Sequence, residues 1–306
     1  MADASDVSIT RCGFVAILGA TNAGKSTLVN TLVGTKVTIV SHKVQTTRMP
    51  IRGIAIEGRS QLVFIDTPGI FAPKRRLDRA MVDSAWSGAK DADVIAVLVD
   101  ASRGITEDVE RIIEGLPPAG VPLLLVLNKV DLVGAKDKLL ALIAELTKHA
   151  SFQDVFMISA TEGDGVNDFK KHLAKTVPEG PWHYPEDDVS DAPMRLLAAE
   201  ITRERIYKYL HQELPYAITV ETSDWKEFKN GSVRIEQTIF VERDGQKRIV
   251  LGKNGETIKR ISSESRAELT GIVGQTVHLF LFVKVRSGWG SDPERYRELG
   301  LEFPKD

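Results

Sequence analysis

Gly19-Ala20-Thr21-Asn22-Ala23-Gly24-Lys25-Ser26 is a G-x-x-x-x-G-K-S stretch that follows the apolar run Phe14 to Leu18 and opens a helix-compatible segment from Lys25 onward. Glycines let successive backbone N–H groups turn inward around an anion, and the first turn of a helix adds the positive end of its dipole. In such a loop Lys25 neutralises the β- and γ-phosphates and the Ser26 hydroxyl enters a Mg²⁺ shell, with Thr27 continuing the helix beside them. The stretch predicts strand, phosphate-binding loop and helix in succession, and a bound nucleoside triphosphate. A Gly-rich turn with a helix cap is the bland alternative.

Three more segments, in order, select the triphosphate. Asp66-Thr67-Pro68-Gly69 ends the apolar run Leu62 to Ile65, where a carboxylate holds the metal through water and the Gly69 N–H meets the γ-phosphate. Asn128-Lys129-Val130-Asp131 follows the run Leu123 to Leu127. Guanine presents N1–H and an exocyclic amine on one edge, and the Asp131 carboxylate accepts from both, whereas adenine would turn an acceptor toward that charge. Ser159-Ala160, after the run Val155 to Ile158, offers a backbone N–H to the guanine carbonyl. Thr46 and Thr47 are candidates to hold the metal and order their loop in the triphosphate state. Asp66 as a helix cap, residues 128–131 as a solvated turn and ordinary loop threonines are the separate alternatives; together and in this order they are hard to sustain.

With 306 residues, 42% hydrophobic and 27% charged, the sequence predicts a soluble globular protein of two domains. A net charge of -2 neither requires nor excludes a polyanionic partner. Cys12 is the single cysteine, so no internal disulfide forms, and a buried, inert thiol in a reducing compartment is expected. No apolar stretch reaches about 18 residues and Met1 to Thr10 lacks a signal pattern, which makes a cytosolic location the default expectation.

Short apolar runs alternate with helical patterns through the first half. Strands are predicted at 13–18, 51–57, 61–66, 93–99, 122–127 and 154–158, and helices near 25–33, 77–88, 105–115, 136–149 and 166–175. Val94 to Val99 is apolar without alternation, as in a strand covered on both faces, so an α/β sheet with ligands at the strand carboxyl ends is expected. Residues 1–11 read as a flexible arm, 12–176 as the first domain and 177–193, rich in proline and acid, as a linker in which Trp182 and Tyr184 serve as anchors.

Residues 194–306 form a second domain: a helix over 193–212, strands over 216–222 and 232–242, a short helix, the loop Gly252-Lys253-Asn254-Gly255, a helix over 256–269, a strand over 277–285 and a segment over 293–299. From Arg243 to Arg260, Arg243, Lys247, Arg248, Lys253, Lys259 and Arg260 face only Asp244 and Glu256. A lone G-x-x-G is often a tight turn between helices. In this α-β-β-α-α-β order it reads as a smaller α+β KH module of type II that clamps single-stranded nucleotides through Lys247, Arg248, Gly252, Lys253, Asn254, Gly255 and Lys259.

From about Gly13 to about Leu301 the chain resembles the Era family of bacterial GTPases, a P-loop, Ras-like α/β domain with a mostly parallel sheet joined to a carboxyl-terminal KH domain. Gln45-Thr46-Thr47-Arg48 looks like the family's first switch, and Pro185-Glu186-Asp187 is similar in kind to its linker. Glu213-Leu214-Pro215-Tyr216 and residues 283–289 are similar to its KH signatures. Thr21 and Val44 stand where many relatives carry proline. The resemblance implies a GTP/GDP switch with Mg²⁺, assisting maturation of the small ribosomal subunit by binding its ribosomal RNA near the 3′ end. It also implies a monomeric, cytoplasmic protein with weak peripheral contact to the inner membrane. Ile70 follows Gly69 where Ras-like enzymes with glutamine orient the attacking water, so slow intrinsic hydrolysis is expected. Asn22 is a candidate for a K⁺ ion bridging the phosphates, as in related GTPases; its alternative role is to brace the loop. An RNA chaperone or scaffold in which nucleotide only stabilises the fold is the competing reading.

Overall fold

A computed structural model describes residues 9–117, 120–210, 214–288, 292–298 and 300–304; the readings placed on residues 1–8, Glu213 and Trp289 lie outside them. The chain divides into two compact units, one comprising residues up to Val37 with Thr47–Asp191, the other Thr38–Thr46 with residues from Ala192 onward.

The first unit is built on strands β1 (Arg11–Gly19), β2 (Ile51–Glu57), β3 (Ser60–Asp66), β4 (Val94–Asp100), β5 (Leu123–Asn128) and β6 (Asp154–Met157) in the order β2-β3-β1-β4-β5-β6. β2 and β3 are antiparallel, and every other neighbouring pair is parallel. Parallel strands need helical crossovers, which cover both faces and explain the unbroken apolar runs. Successive residues then serve opposite cores. Val15, Ile17, Ala96 and Leu98 pack with Leu28 of α1 (Lys25–Val33) and Phe169 of α5 (Val166–Thr176). Ala16, Leu18, Ile95 and Val97 pack with Ala85 of α2 (Arg76–Lys90), Ile112 of α3 (Glu107–Glu114) and Leu146 of α4 (Lys136–His149). Because β1, β3, β5 and β6 run parallel, the segments that come after them leave from one edge of the sheet.

The second unit contains α6 (Met194–Tyr209), β7 (Ile218–Glu227), β8 (Val233–Val241), α7 (Asp244–Leu251), α8 (Glu256–Val273), β9 (Val277–Val285) and α9 (Pro293–Glu298). Its sheet has the order β7-β8-β9, with β7 and β8 antiparallel and β8 and β9 parallel. Ile206, Ile218, Ile239, Val241, Val250 and Ile261 form one core cluster, and Ile201, Val233, Ile235, Leu269 and Val277 a second. Unusually for a surface-length helix, α6 also buries Glu200, Thr202, Arg203 and Glu204. Thr202 is satisfied by donating to Gln237 Oε1 at 2.6 Å. Among the described residues no helix is long and apolar enough to cross a membrane.

Three features differ from the sequence reading. Arg11 is not part of a free arm: it opens β1, and its guanidinium donates to Val177 O at 2.8 Å and pairs with Glu179 at 2.9 Å. Residues 177–191 group with the first unit, because buried Gln61 of β3 accepts from His183 N at 2.9 Å and Tyr184 N at 3.0 Å and donates to Tyr184 O at 2.8 Å. Trp182 adds an indole N–H to Arg59 O at 3.2 Å, the anchoring expected of it. Residues 38–46, embedded in the first domain by sequence, group with the second unit, through side chains of α6 that no local pattern reveals.

Candidate functional site

The loop between β1 and α1 has the geometry that anion binding requires. Asn22 and Gly24 both have positive φ, 62° and 100°, which turns the intervening peptides away from a regular path. Lys25 is buried, and its Nζ donates to Gly19 O at 3.1 Å and Ala20 O at 3.0 Å, closing the loop around its own ammonium. Burial pulls its pKa down to about 8 against the opposing attraction of Asp66. An anionic ligand beside this group restores its preference for charge.

The carboxyl ends of β1 and β3 meet here. Ser26 Oγ donates to Asp66 Oδ2 at 2.7 Å and lies 2.9 Å from Thr47 Oγ1, so two hydroxyls and a carboxylate converge. These hard oxygen donors suit Mg²⁺, which takes few protein ligands and keeps phosphate oxygens and waters. When bound, that ion supplies charge neutralisation of the phosphates; Ser26, Thr47 and Asp66 are the residues placed to hold it. Thr46 is used differently, its hydroxyl donating to Lys43 O at 2.8 Å. Thr67 donates to Ile17 O at 2.7 Å and so braces β3 against β1. Pro68 and Gly69 are buried beside the loop, and a side chain at Gly69 would meet Thr21 Cγ2 at 2.7 Å. Ile70 is fully buried, with its N–H on Gly19 O at 3.1 Å, and carries no group able to orient water.

Asn128 ties residues 128–131 and Ser159-Ala160 to this loop. Its Nδ2 donates to Ala23 O at 2.8 Å, and its Oδ1 accepts from Ala160 N at 2.9 Å. Ser159 N donates to Asp164 O at 3.0 Å, and Ser159 Oγ accepts from Glu162 N at 3.3 Å. The pair Ser159-Ala160 thus orients Asn128 in the structure; donation to a guanine carbonyl requires the Ala160 N–H to be shared. Lys129, at φ 62°, reaches Asn22 O at 2.8 Å and Asp100 Oδ2 at 2.6 Å. Burial opposes the Asp100 charge, but the bonds from Lys129 and Ser102 outweigh it and hold the carboxyl below its ordinary range. Asp100 was absent from the sequence-derived set, although its place at the end of the apolar run of β4 was a usable signal. Asp131 sits exposed in the 3-10 turn Val130–Leu132, free of the packing that immobilises Asn128.

In the second unit, Gly252 lies between α7 and the turn Lys253–Gly255 that leads into α8. It has φ 73°, and an added Cβ would meet Thr257 Oγ1 at 2.2 Å and the Thr257 backbone nitrogen at 2.9 Å. Only glycine permits this approach of the loop to the helix start. Asn254 also has positive φ, 52°. Arg248, Lys253, Asn254 and Lys259 are exposed around the loop and Lys247 is half-buried, with the apolar Ile249 exposed next to them. Cations, an accessible backbone and an apolar side chain together offer a surface for phosphates and bases.

A family model described as 50S ribosome-binding GTPase matches residues 14–129, and a KH domain model matches residues 213–290. The GTPase Era of Afipia carboxidovorans is 65% identical over 297 residues, covering 97% of this chain and 96% of that one. The chain belongs to the Era family of GTPases. GTPase Era of Rhizobium meliloti is 64% identical over 97% of this chain and 94% of its own. Among solved structures, Era in complex with MgGDPNP and nucleotides 1506–1542 of 16S ribosomal RNA is 38% identical, with a TM-score of 0.90 over 95% of this chain and 99% of that one. A variant of Aquifex aeolicus Era bound to GDP·AlF4⁻ gives 39% identity and the same TM-score over the same shares. As an Era-family enzyme the chain hydrolyses GTP to GDP and phosphate with Mg²⁺ as cofactor, and it combines a Ras-like domain with a KH domain.

Proposed function

We propose that this Era-family GTPase is a switch whose nucleotide state gates the binding of single-stranded small-subunit ribosomal RNA, near its 3′ end, to the loop Gly252–Gly255, in the service of small-subunit maturation. The observation that supports it most is the conjunction, in one chain, of a convergent Ser26, Thr47 and Asp66 set with a basic glycine loop. The similar Era crystallised with MgGDPNP and 16S nucleotides points the same way. In this reading the γ-phosphate and its metal order residues 36–49 and 69–80, and hydrolysis releases both. A tenfold change in RNA affinity needs about 1.4 kcal/mol of coupling.

The test compares RNA affinity with GDP and with a non-hydrolysable GTP analogue. Different affinities support the switch, and equal ones, with hydrolysis indifferent to RNA, favour the chaperone or scaffold reading. Gly252→Asp places a carboxylate against the phosphate path at a positive φ and is expected to weaken RNA binding at least 100-fold, about 3 kcal/mol, while GDP affinity is retained. Retained RNA affinity would remove this loop from the interface.

Asn22 is exposed on the phosphate loop, and we assign its side-chain oxygen to a K⁺ site bridging the phosphates. Exchanging K⁺ for Na⁺ at constant ionic strength is then expected to slow turnover about tenfold; an unchanged rate would leave Asn22 as a brace. The protein is assigned to the cytoplasm as a monomer, with weak peripheral contact to the inner membrane, on the strength of the family resemblance alone.

A further inference from the structure

Asp100 closes β4 opposite Asn128 of β5, and its side chain is only 9% exposed. Its two oxygens have separate partners. Oδ1 accepts from Ser102 N at 3.0 Å and Ser102 Oγ at 2.6 Å, closing the turn that follows β4. Oδ2 accepts from Lys129 Nζ at 2.6 Å. Burial opposes the charge of this carboxylate, and these bonds outweigh the burial.

The other bond of Lys129 reaches the phosphate loop. From a left-handed backbone, φ 62°, its side chain passes Gly24, where an added Cβ would stand 4.0 Å from Lys129 Cε, and its Nζ donates to Asn22 O at 2.8 Å. Asn128 Nδ2 takes the next carbonyl, Ala23 O, at 2.8 Å. A trans peptide points its C=O and N–H in opposite directions. Two successive carbonyls drawn toward residues 128 and 129 therefore turn the N–H groups of Ala23 and Gly24 the other way. Successive N–H groups turned to one side are what gives such a loop its anion-binding concavity. The Ala23 N–H itself is held only by a 3.3 Å bond to Ala20 O. The two grips on the carbonyls are unequal. Asn128 is short, buried and bonded at both ends of its amide, whereas Lys129 is 31% exposed and ends a flexible four-carbon chain that water can draw away. A carboxylate fixed to the end of a central strand removes that freedom.

We propose that Asp100 is a positioning residue for nucleotide retention: it pins the Lys129 ammonium on the Asn22 carbonyl, keeps the phosphate loop in its anion-binding form, and so slows dissociation of GDP and GTP alike without reading the base. The inference rests on residues 19–26 being the phosphate loop, and it goes beyond the switch reading because it acts in both nucleotide states.

Dissociation of a fluorescent GDP analogue from the full-length protein, with Mg²⁺, tests this in the native chain, Asp100→Asn, Lys129→Met and the double variant. Asparagine keeps an acceptor for Ser102 and suits the turn, but it exchanges the charge facing Lys129 for an amide. Asp100→Asn is expected to speed dissociation about tenfold, and Lys129→Met at least as much. Because Asp100 acts through Lys129, the double variant is expected to dissociate no more than about twofold faster than Lys129→Met. Ser102→Ala, which loosens only the turn, is expected to stay within about twofold of the native rate. Should Asp100→Asn fail to fold, Asp100→Ser, which keeps an oxygen for the turn, takes its place. A native rate in the Asp100 variant, effects that multiply in the double variant, a Ser102→Ala effect as large as that of Asp100→Asn, or a lost preference for guanine over adenine overturns the proposal. A native rate in Lys129→Met as well would mean that the placement of Lys129 against the phosphate loop has failed, and the proposal with it.

Discussion

Asp131→Asn is expected to exchange guanine for xanthine selectivity, lowering affinity for GDP and raising it for xanthosine diphosphate so that their ratio moves by about 10⁴ or more. A carboxylate at this place would accept from both N1–H and the exocyclic amine, and each such charge-assisted bond contributes about 1.5–3 kcal/mol. An amide offers one acceptor and one donor. Against guanine its N–H faces the amine, two donors in conflict, whereas xanthine presents N1–H and a carbonyl that match it. The effect stays local, because Asp131 is exposed in its turn while Asn128, held by Ala23 and Ala160, keeps the segment in place. Competition of the two diphosphates for the variant measures it directly. Unaltered preference for GDP would mean that the base is read elsewhere.

The second large effect is expected at Gly24, whose replacement by alanine should weaken GDP and GTP binding about 1,000-fold, about 4 kcal/mol. Its φ of 100° lies where a side chain is strained, and a Cβ there would stand 2.3 Å from Asn128 Nδ2. Relief requires Asn128 to swing away, which breaks its bonds to Ala23 O and from Ala160 N. The order of the phosphate loop and of residues 128–131 is therefore lost together, at about 1–3 kcal/mol for the backbone and about 1 kcal/mol for each bond. Gly34→Ala is the internal comparison. Its φ is also positive, 86°, but no atom lies within 4 Å of the added carbon, so it is expected to lower stability by about 1 kcal/mol and leave nucleotide affinity alone. Calorimetric titration with GDP, beside thermal unfolding of both variants, checks the pair. Equal affinities in the two would show that the clash at Asn128 is absorbed.

Much of the first unit was legible because its signals are local. Each of Gly19 to Ser26, Asp66 to Gly69 and Asn128 to Asp131 follows an unbroken apolar run, and the parallel register of β1, β3 and β5 carries those runs to one edge. The features that escaped are long-range. Asp100 meets Lys129 at 2.6 Å across two strands, and the orientation of Asn128 depends on Ala23, 105 positions away. Helix α6 concealed most. Its buried Glu200, Arg203 and Glu204 read as solvent-facing charges by any amphipathic pattern, yet Arg203 pairs with Glu200 and donates to Thr46 O, and Glu204 accepts from Val40 N. The end of α8 at Val273 rather than residue 269 has a plainer cause, the left-handed Gly274 that closes it on Thr270 O.

The attachment of residues 177–191 dictates how the molecule can be cut. Scission after Thr176 would strip Val177 from its seat against Gly13, where even a Cβ would approach to 2.7 Å, and leave the interior amide of Gln61 without its backbone partners. Cys12, shielded at 4% exposure and bonded through its N–H to Pro178, would be opened to oxidation at the same stroke. A fragment that keeps these seals must be severed beyond Asp191, where Arg52 makes its last clasp at 2.9 Å, and residues 38–46 then lose the partners that α6 supplies.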